Sequence, residues 1–194
     1  QLTHIFEAVM QEGREIISHQ KFDIVLRRLC HQLMENYDQF ENACIIGLQP
    51  RGTILSNCLV DMLIRDFKVP AIEYGQLDIT FYRDDYRDRT KILMASETKM
   101  NFIVEGKKVL MVDDVLFTGR SVHAGISALT NYGRPAHIEL LSFVDRRFNR
   151  DFPIQANYLG LTVDALDEAY VKLRWNENKT SSSVFIYPFK SDSI

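Results

Sequence analysis

Cysteine is scarce in this chain, with Cys30, Cys44 and Cys58 its three residues. Their odd number, their place inside apolar stretches and the lack of any C-x-x-C spacing argue against a disulfide framework or a zinc site. They read as buried thiols, which suits a reducing cytoplasm. Long hydrophobic runs are missing too, since none approaches the roughly 18 residues needed to cross a bilayer. The opening residues Gln1-Leu2-Thr3-His4-Ile5-Phe6 have no basic stretch followed by an apolar one, so no secretory leader is read there. The expectation is a soluble, cytoplasmic protein with no membrane partner. An excess of basic charge is likewise absent: 23 Lys and Arg stand against 26 acidic residues, for a formal charge of -3. Nothing draws the molecule as a whole to nucleic acid or anionic lipid, and any phosphate binding must rest on locally placed groups. There is no internal repeat and no low-complexity tract, and His123 and His137 lack partners at metal-ligand spacing.

What is present is enough apolar material, 46% of 194 residues, for one sizeable core, and a single domain spanning 1–194 is expected. From Phe22, apolar residues at Val25, Leu26, Leu29, Cys30, Leu33, Met34 and Tyr37 repeat at helical spacing, with Ser18 available as N-cap. The run Ala43 to Ile46 reads as a strand, and Ile54, Leu55, Cys58, Leu59, Met62 and Leu63 as the helix that follows it. Alternation at Ile72 and Tyr74, then at Leu77, Ile79 and Phe81, predicts extended chain. The charge-rich stretch from Arg83 to Phe102 has no sustained period and is expected to be a flexible lid loop. Val109 to Val112 predicts a second core strand, followed by a helix through Val122, Ile126 and Leu129 to Gly133-Arg134-Pro135, and then a strand from Ile138 to Val144. Two strand-loop-helix-strand units in series imply an α/β fold, a mainly parallel sheet with helices on both faces. Tyr158 to Leu161, Ala169 to Trp175 and Ser183 to Tyr187 read as short pieces that finish the sheet or cap the site.

The chemistry concentrates in Val112-Asp113-Asp114-Val115-Leu116-Phe117-Thr118-Gly119-Arg120-Ser121. Two carboxylates are expected where the strand stops, before a Gly-containing turn into a helix. Free backbone amides at that helix start suit a phosphate. Thr118 and Ser121 can add hydroxyl donors, Gly119 allows close backbone approach, and the carboxylates can accept hydrogen bonds from a sugar diol. An isolated Asp-Asp pair would read as a solvated turn. The full string does not, and it lacks the Gly-Lys-Ser/Thr ending of a Walker loop.

That string resembles the phosphoribosyl pyrophosphate (PRPP) motif of type I phosphoribosyltransferases. Gly47-Leu48-Gln49-Pro50-Arg51-Gly52, Leu77-Asp78-Ile79-Thr80-Phe81-Tyr82-Arg83-Asp84-Asp85, Gly133-Arg134-Pro135 and Val144-Asp145-Arg146 resemble, in the same order, segments of the PyrR family. Members of that family are pyrimidine-operon attenuators that also have uracil phosphoribosyltransferase activity. The similarity covers Ser18 to Tyr187 and leaves residues 1–17 as an N-terminal extension.

The resemblance implies the type I phosphoribosyltransferase fold with a small hood, Mg²⁺ as cofactor, PRPP and a nucleobase as substrates, and a homodimer or higher homo-oligomer. Asp113 and Asp114 would serve catalysis and hold the metal. Arg51 and Gly52 would belong to the loop that takes the pyrophosphate, and Arg83 to the loop that closes over the reacting centre. Val115, Leu116, Phe117, Thr118, Gly119, Arg120 and Ser121 would bind the ribose phosphate, and Asp145 and Arg146 would lie in the hood over the base. Arg27, Arg28 and His31 form a basic stripe on the first helix, which reads as a solvated face or, by the resemblance, an RNA contact. Departures are visible: Gln49 and Pro50 stand where Lys and Thr are common, and Arg147 and Phe148 where Gly-His is usual. The three carboxylates of Asp164, Asp167 and Glu168 stand where attenuators carry Ser, Thr and Lys, so RNA binding is expected to be weak. Uracil is the expected acceptor; an RNA-binding regulator or a purine-type transferase is the alternative.

Overall fold

The helical spacing that begins at Phe22 folds as α1, His19–Tyr37, with the Ser18 hydroxyl accepting from the Lys21 amide at its start. This computed structural model describes residues 13–83, 97–165 and 169–188. In chain order they form β1 (Arg14–Ile17), α1, β2 (Ala43–Leu48), α2 (Arg51–Arg65), β3 (Glu73–Leu77), β4 (Lys108–Leu116), α3 (Arg120–Leu129), β5 (His137–Arg146), β6 (Tyr158–Val163), β7 (Tyr170–Trp175) and β8 (Ser182–Tyr187). Single 3₁₀ turns lie at Thr80–Tyr82 and Thr130–Tyr132.

Five strands make one parallel sheet in the order β3-β2-β4-β5-β6. Its strands are apolar on both faces, as a sheet covered on each side requires. Ile45, Leu110, Val112, Leu141 and Phe143 face α1 and α2, whereas Cys44, Ile46, Val109, Met111 and Leu140 face α3. The chain leaves β2 through α2 to reach β3 on one side, and leaves β4 through α3 to reach β5 on the other. The C-terminal ends of β2 and β4 therefore flank a topological switch point, where such sheets open a crevice for ligands.

A second, three-stranded antiparallel sheet, β1-β8-β7, forms the hood. Val171, Leu173 and Val184 anchor it to the same core that α1 completes, and Phe22 stacks on Phe143 with Trp175 at its edge. Trp175 is thus a packing residue. All three cysteines are buried free thiols, and burial pushes Cys30 and Cys44 up to about 12.

Several expectations need correction. The apparent alternation at Ile79 and Phe81 is not strand, because Thr80–Tyr82 turns as a 3₁₀ helix and leaves Phe81 exposed. Residues 14–17 are not an extension outside the fold; they pair with Val184 to Ile186 at the far end of the chain. The expected lid, Arg83 to Phe102, falls largely on residues 84–96, outside the described residues. Its C-terminal end is fixed: Gln76 and Lys99 exchange backbone hydrogen bonds, and Met100 and Phe102 pack on the second core. No helix among the described residues is long and apolar enough to cross a membrane.

Candidate active site

Asp113 and Asp114 do not follow a strand that has stopped. β4 continues through them to Leu116, paired in register with Ser142 to Asp145 of β5, so both carboxylates are buried inside the sheet at 8% and 5% exposure. The Asp114 amide donates to Asp113 Oδ1 at 3.0 Å and the Val115 amide to Asp114 Oδ1 at 2.9 Å. Burial, then the neighbouring Asp114 charge, pushes the Asp113 carboxyl well above the usual carboxylate range, while Arg83 and Arg51 pull the other way. Burial raises Asp114 as well, opposed first by Arg51. Two buried carboxylates with incomplete cationic compensation are poised to accept hydroxyl donors or a cation.

The loop expected to bind the ribose phosphate follows directly. Gly119, at φ 87°, turns the chain in the left-handed region and starts α3, whose first amides have no side-chain cap from it. A wall from the β5–β6 connection backs the loop. The Asp151 and Phe152 amides donate to the Thr118 carbonyl at 2.9 and 3.1 Å, and Arg120 Nε reaches Asp151 at 2.8 Å. A Cβ at position 119 would come within 3.3 Å of Phe152 and Ile154, so there is little room for a larger residue. The loop, with Arg83 and Asp113, lines a cavity of about 170 Å³. That is smaller than the roughly 300–1,000 Å³ of drug-sized ligand sites and suits a phosphate with part of a sugar.

The second wall is the β2–α2 connection. Gly52 is buried because α2 starts hard against β4: a Cβ there would lie 2.4 Å from the Val112 carbonyl oxygen and 3.1 Å from Asp113 Cα. Arg51, the residue before it, is partly exposed and donates from Nη1 to the Tyr170 hydroxyl at 2.5 Å. Desolvation works against its charge, but Tyr170, Asp114 and Asp113 outweigh it and raise the Arg51 pKa. The Gln49–Pro50 bond is cis, and the Gln49 side-chain amide donates to the Glu97 carbonyl at 2.8 Å.

Arg83, Asp113 and the loop 115–121 thus line one cavity, while Gly52 packs on Asp113 beside it and Arg51 feels the charge of both carboxylates. Asp145 and Arg146 border the cavity from a different place than expected. They end β5 of the main sheet rather than lying in the small sheet, and both are buried. Asp145 accepts from Arg150 Nη2 at 2.5 Å, Arg150 Nη1 also donates to the Phe117 carbonyl, and the Arg146 guanidinium stacks 3.8 Å from the centre of the Phe117 ring. Arg150 and Tyr170 were not singled out from sequence. The only signal for Arg150 was an opposite charge five residues after Asp145; none marked Tyr170.

The basic stripe of α1 is spent on the protein itself. Arg27 pairs with Asp66 at 2.6 Å, Arg28 donates to the Leu159 and Gly160 carbonyls at 2.9 and 2.7 Å, and the His31 ring meets the edge of Phe67. Asp164 accepts from Arg147 Nε and Nη2 at 2.7 Å each; Asp167 and Glu168 lie outside the described residues. His123 stacks on Phe152.

Among the described residues, no group of three or more His, Cys, Asp or Glu gathers that could hold a metal ion. The Asp113–Asp114 pair still fits Mg²⁺. That ion keeps several waters and is commonly held by one or two carboxylates together with substrate phosphates.

Comparison with known proteins agrees with this geometry. The Phosphoribosyl transferase domain family matches residues 13–177. The Bifunctional protein PyrR of Desulfosudis oleivorans is 36% identical over 177 residues, 91% of this chain and 97% of that protein. That of Caldicellulosiruptor bescii is 36% identical over 179 residues, 91% of this chain and 96% of that protein. Among solved structures, a hypoxanthine phosphoribosyltransferase from Staphylococcus aureus shares the fold with a TM-score of 0.62 at 18% identity, covering 81% of this chain and 79% of the other. The chain has the type I phosphoribosyltransferase fold and belongs to the phosphoribosyl transferase domain family and, within it, to the PyrR proteins.

Proposed function

We propose that the chain transfers the phosphoribosyl group of PRPP to uracil, giving UMP and pyrophosphate. The observation that supports this most is the meeting, at the ends of β2 and β4, of a buried carboxylate pair, a phosphate-type loop opening α3, and a cation at the start of α2. Each matches one part of PRPP. The amides at 119–122 and the hydroxyls of Thr118 and Ser121 receive the 5-phosphate. Asp113 and Asp114 accept hydrogen bonds from the ribose hydroxyls. Arg51 faces the pyrophosphate.

The reaction breaks the bond between ribose C1 and the pyrophosphate oxygen and forms one from C1 to the base nitrogen, the electron pair of the broken bond leaving with pyrophosphate. Positive charge grows on the ring and negative charge on the leaving group. The buried carboxylates stabilise the first and Arg51 the second, while the loop fixes the sugar for in-line approach. Mg²⁺, bound with PRPP, would be held through Asp113 and Asp114 and would neutralise the departing pyrophosphate. No protein nucleophile takes part. The proton released from the base nitrogen passes to solvent or to product pyrophosphate.

Uracil as the acceptor rests on the PyrR relationship, because a shared PRPP site does not fix the base. Phe117, clamped by Arg146 and Arg150, forms the base-side wall. Assembly as a homodimer or higher oligomer and a cytoplasmic location follow the same relationship. Incubation with PRPP, uracil and Mg²⁺ should give UMP and pyrophosphate in equal amounts. Failure to form UMP even with the protein in excess would sink the assignment.

A further inference from the structure

We infer that Tyr170 is a positioning residue for phosphoribosyl transfer: its hydroxyl fixes the Arg51 guanidinium at the pyrophosphate end of the site and ties the hood sheet to that loop. The inference rests on the reading of Arg51 as the cation facing the leaving group.

Arg51 opens α2 and is partly exposed, with four rotatable bonds to order before its charge can act at one point. A guanidinium only donates, so in the 2.5 Å contact the phenol oxygen is the acceptor. The guanidinium carbon lies 5.9 Å from the Tyr170 ring centre, so the hydroxyl rather than the ring face makes the close contact. Tyr170 is itself set on a rigid element. It begins β7, sits opposite Tyr187 in the ladder, and is followed by the buried Val171 and Leu173 of the main core. Tyr187 is 1% exposed, and its ring centre is 6.4 Å from that of Tyr170. A phenol held by a packed strand therefore fixes the end of a long side chain that would otherwise sample many rotamers. This is the support an electrostatic group needs to be preorganised.

The contact also spans the two parts of the molecule. Besides this bond, the hood joins the main body through apolar packing of Val171, Leu173, Val184 and Trp175 and through its β7–β8 turn, where the Ser181 hydroxyl meets Asp23 at 2.8 Å. The Tyr170–Arg51 bond connects residues 119 apart in sequence and places the hood against the loop that α2 grows from. Removing the hydroxyl leaves strand pairing and core packing in place, so a loss of activity without a loss of stability distinguishes positioning from a structural role.

The test is a cycle of Tyr170→Phe, Arg51→Ala and the double variant, assayed for pyrophosphate release at varied PRPP and uracil, with binding of inorganic pyrophosphate and thermal unfolding measured on each. Tyr170→Phe should lower kcat/KM for PRPP by about fivefold to twentyfold, the worth of a hydrogen bond to a charged group at a partly exposed site. It should weaken pyrophosphate binding in parallel and leave KM for uracil and the melting temperature unchanged. In the Arg51→Ala background the same change should have less than about a twofold effect, because the residue it positions is gone. Full activity in Tyr170→Phe, or an equal loss with and without Arg51, overturns the positioning role while leaving the Arg51 reading intact. Unimpaired PRPP kinetics in Arg51→Ala removes both.

Discussion

Replacing both site carboxylates by amides should make the protein inactive and more stable at once. Asp113→Asn with Asp114→Asn keeps the size of each side chain and an oxygen that can still accept the Asp114 and Val115 amides at 3.0 and 2.9 Å. What disappears is charge. Both carboxyls are buried, and burial with mutual repulsion raises the Asp113 pKa, so ionising the pair opposes the fold at neutral pH. An acid whose pKa is raised on folding binds more protons folded than unfolded. Its presence therefore lowers stability progressively as pH climbs from the ordinary value of 3.8 through the raised one. Relief of a functionally imposed strain of this kind typically returns about 0.5–2 kcal/mol. For a domain of this size that is a rise in Tm of about 1–8 °C. The pH dependence of Tm above pH 4 should flatten in the variant. PRPP affinity should fall at least about tenfold, since each lost charge-assisted hydrogen bond is worth about 1.5–3 kcal/mol. Calorimetric unfolding from pH 4 to 9 and PRPP titration check the two halves. A variant that melts lower than wild type at pH 8 refutes the electrostatic reasoning, and unchanged PRPP affinity refutes the site.

Three further outcomes are expected. Gly52→Ala should cost about 1–3 kcal/mol in denaturant unfolding and disturb the site, because its methyl would sit 2.4 Å from the Val112 carbonyl; wild-type stability would mean that α2 is free to shift. Glu139 accepts from Tyr37 and Tyr158 at 2.8 Å each and pairs with Lys108 at 3.2 Å. Burial opposes its charge, but these partners prevail and lower its pKa. That stabilisation is full above 4.5 and is lost as pH falls through the lowered value, so Glu139→Gln should be weaker by about 1–2 kcal/mol at pH 7, with the gap closing in acid; a gap independent of pH would contradict it. Titration with a pyrimidine-operon leader hairpin at about 0.15 M salt should show only weak, salt-labile binding, since Arg27 and Arg28 are already engaged; sub-micromolar, sequence-dependent binding lost in Arg28→Ala would restore a regulatory role.

Local signals carried most of the fold. α1 and α2 follow from apolar spacing, the parallel sheet from the order of strands and helices, and the crevice from the loop after Val112. Sequence failed where long-range pairing overrides local pattern. β4 extends through two aspartates because β5 offers Ser142, Val144 and Asp145 as a ladder, which no propensity for Asp would suggest. Residues 14–17 become a strand only because β8 lies beside them at the other end of the chain. The Leu77-Ile79-Phe81 alternation mimics a strand, yet Asp78 accepts from the amide and hydroxyl of Thr80 and winds the chain into a turn. In the site, residue types were legible and partners were not. Tyr170 and Arg150 act on Arg51 and Phe117 through contacts that only the packed sheet and hood create.

The most direct test of the account is PRPP-dependent pyrophosphate release across a panel of free bases, uracil, cytosine, hypoxanthine, guanine and adenine, with Mg²⁺ present. Turnover with uracil, none with the purines, and a reduced but measurable kcat/KM for PRPP in Arg51→Ala is the predicted result. Preferred turnover of hypoxanthine or guanine would make this a purine transferase on the same fold, and no PRPP-dependent release with any base would contradict the enzymatic reading itself.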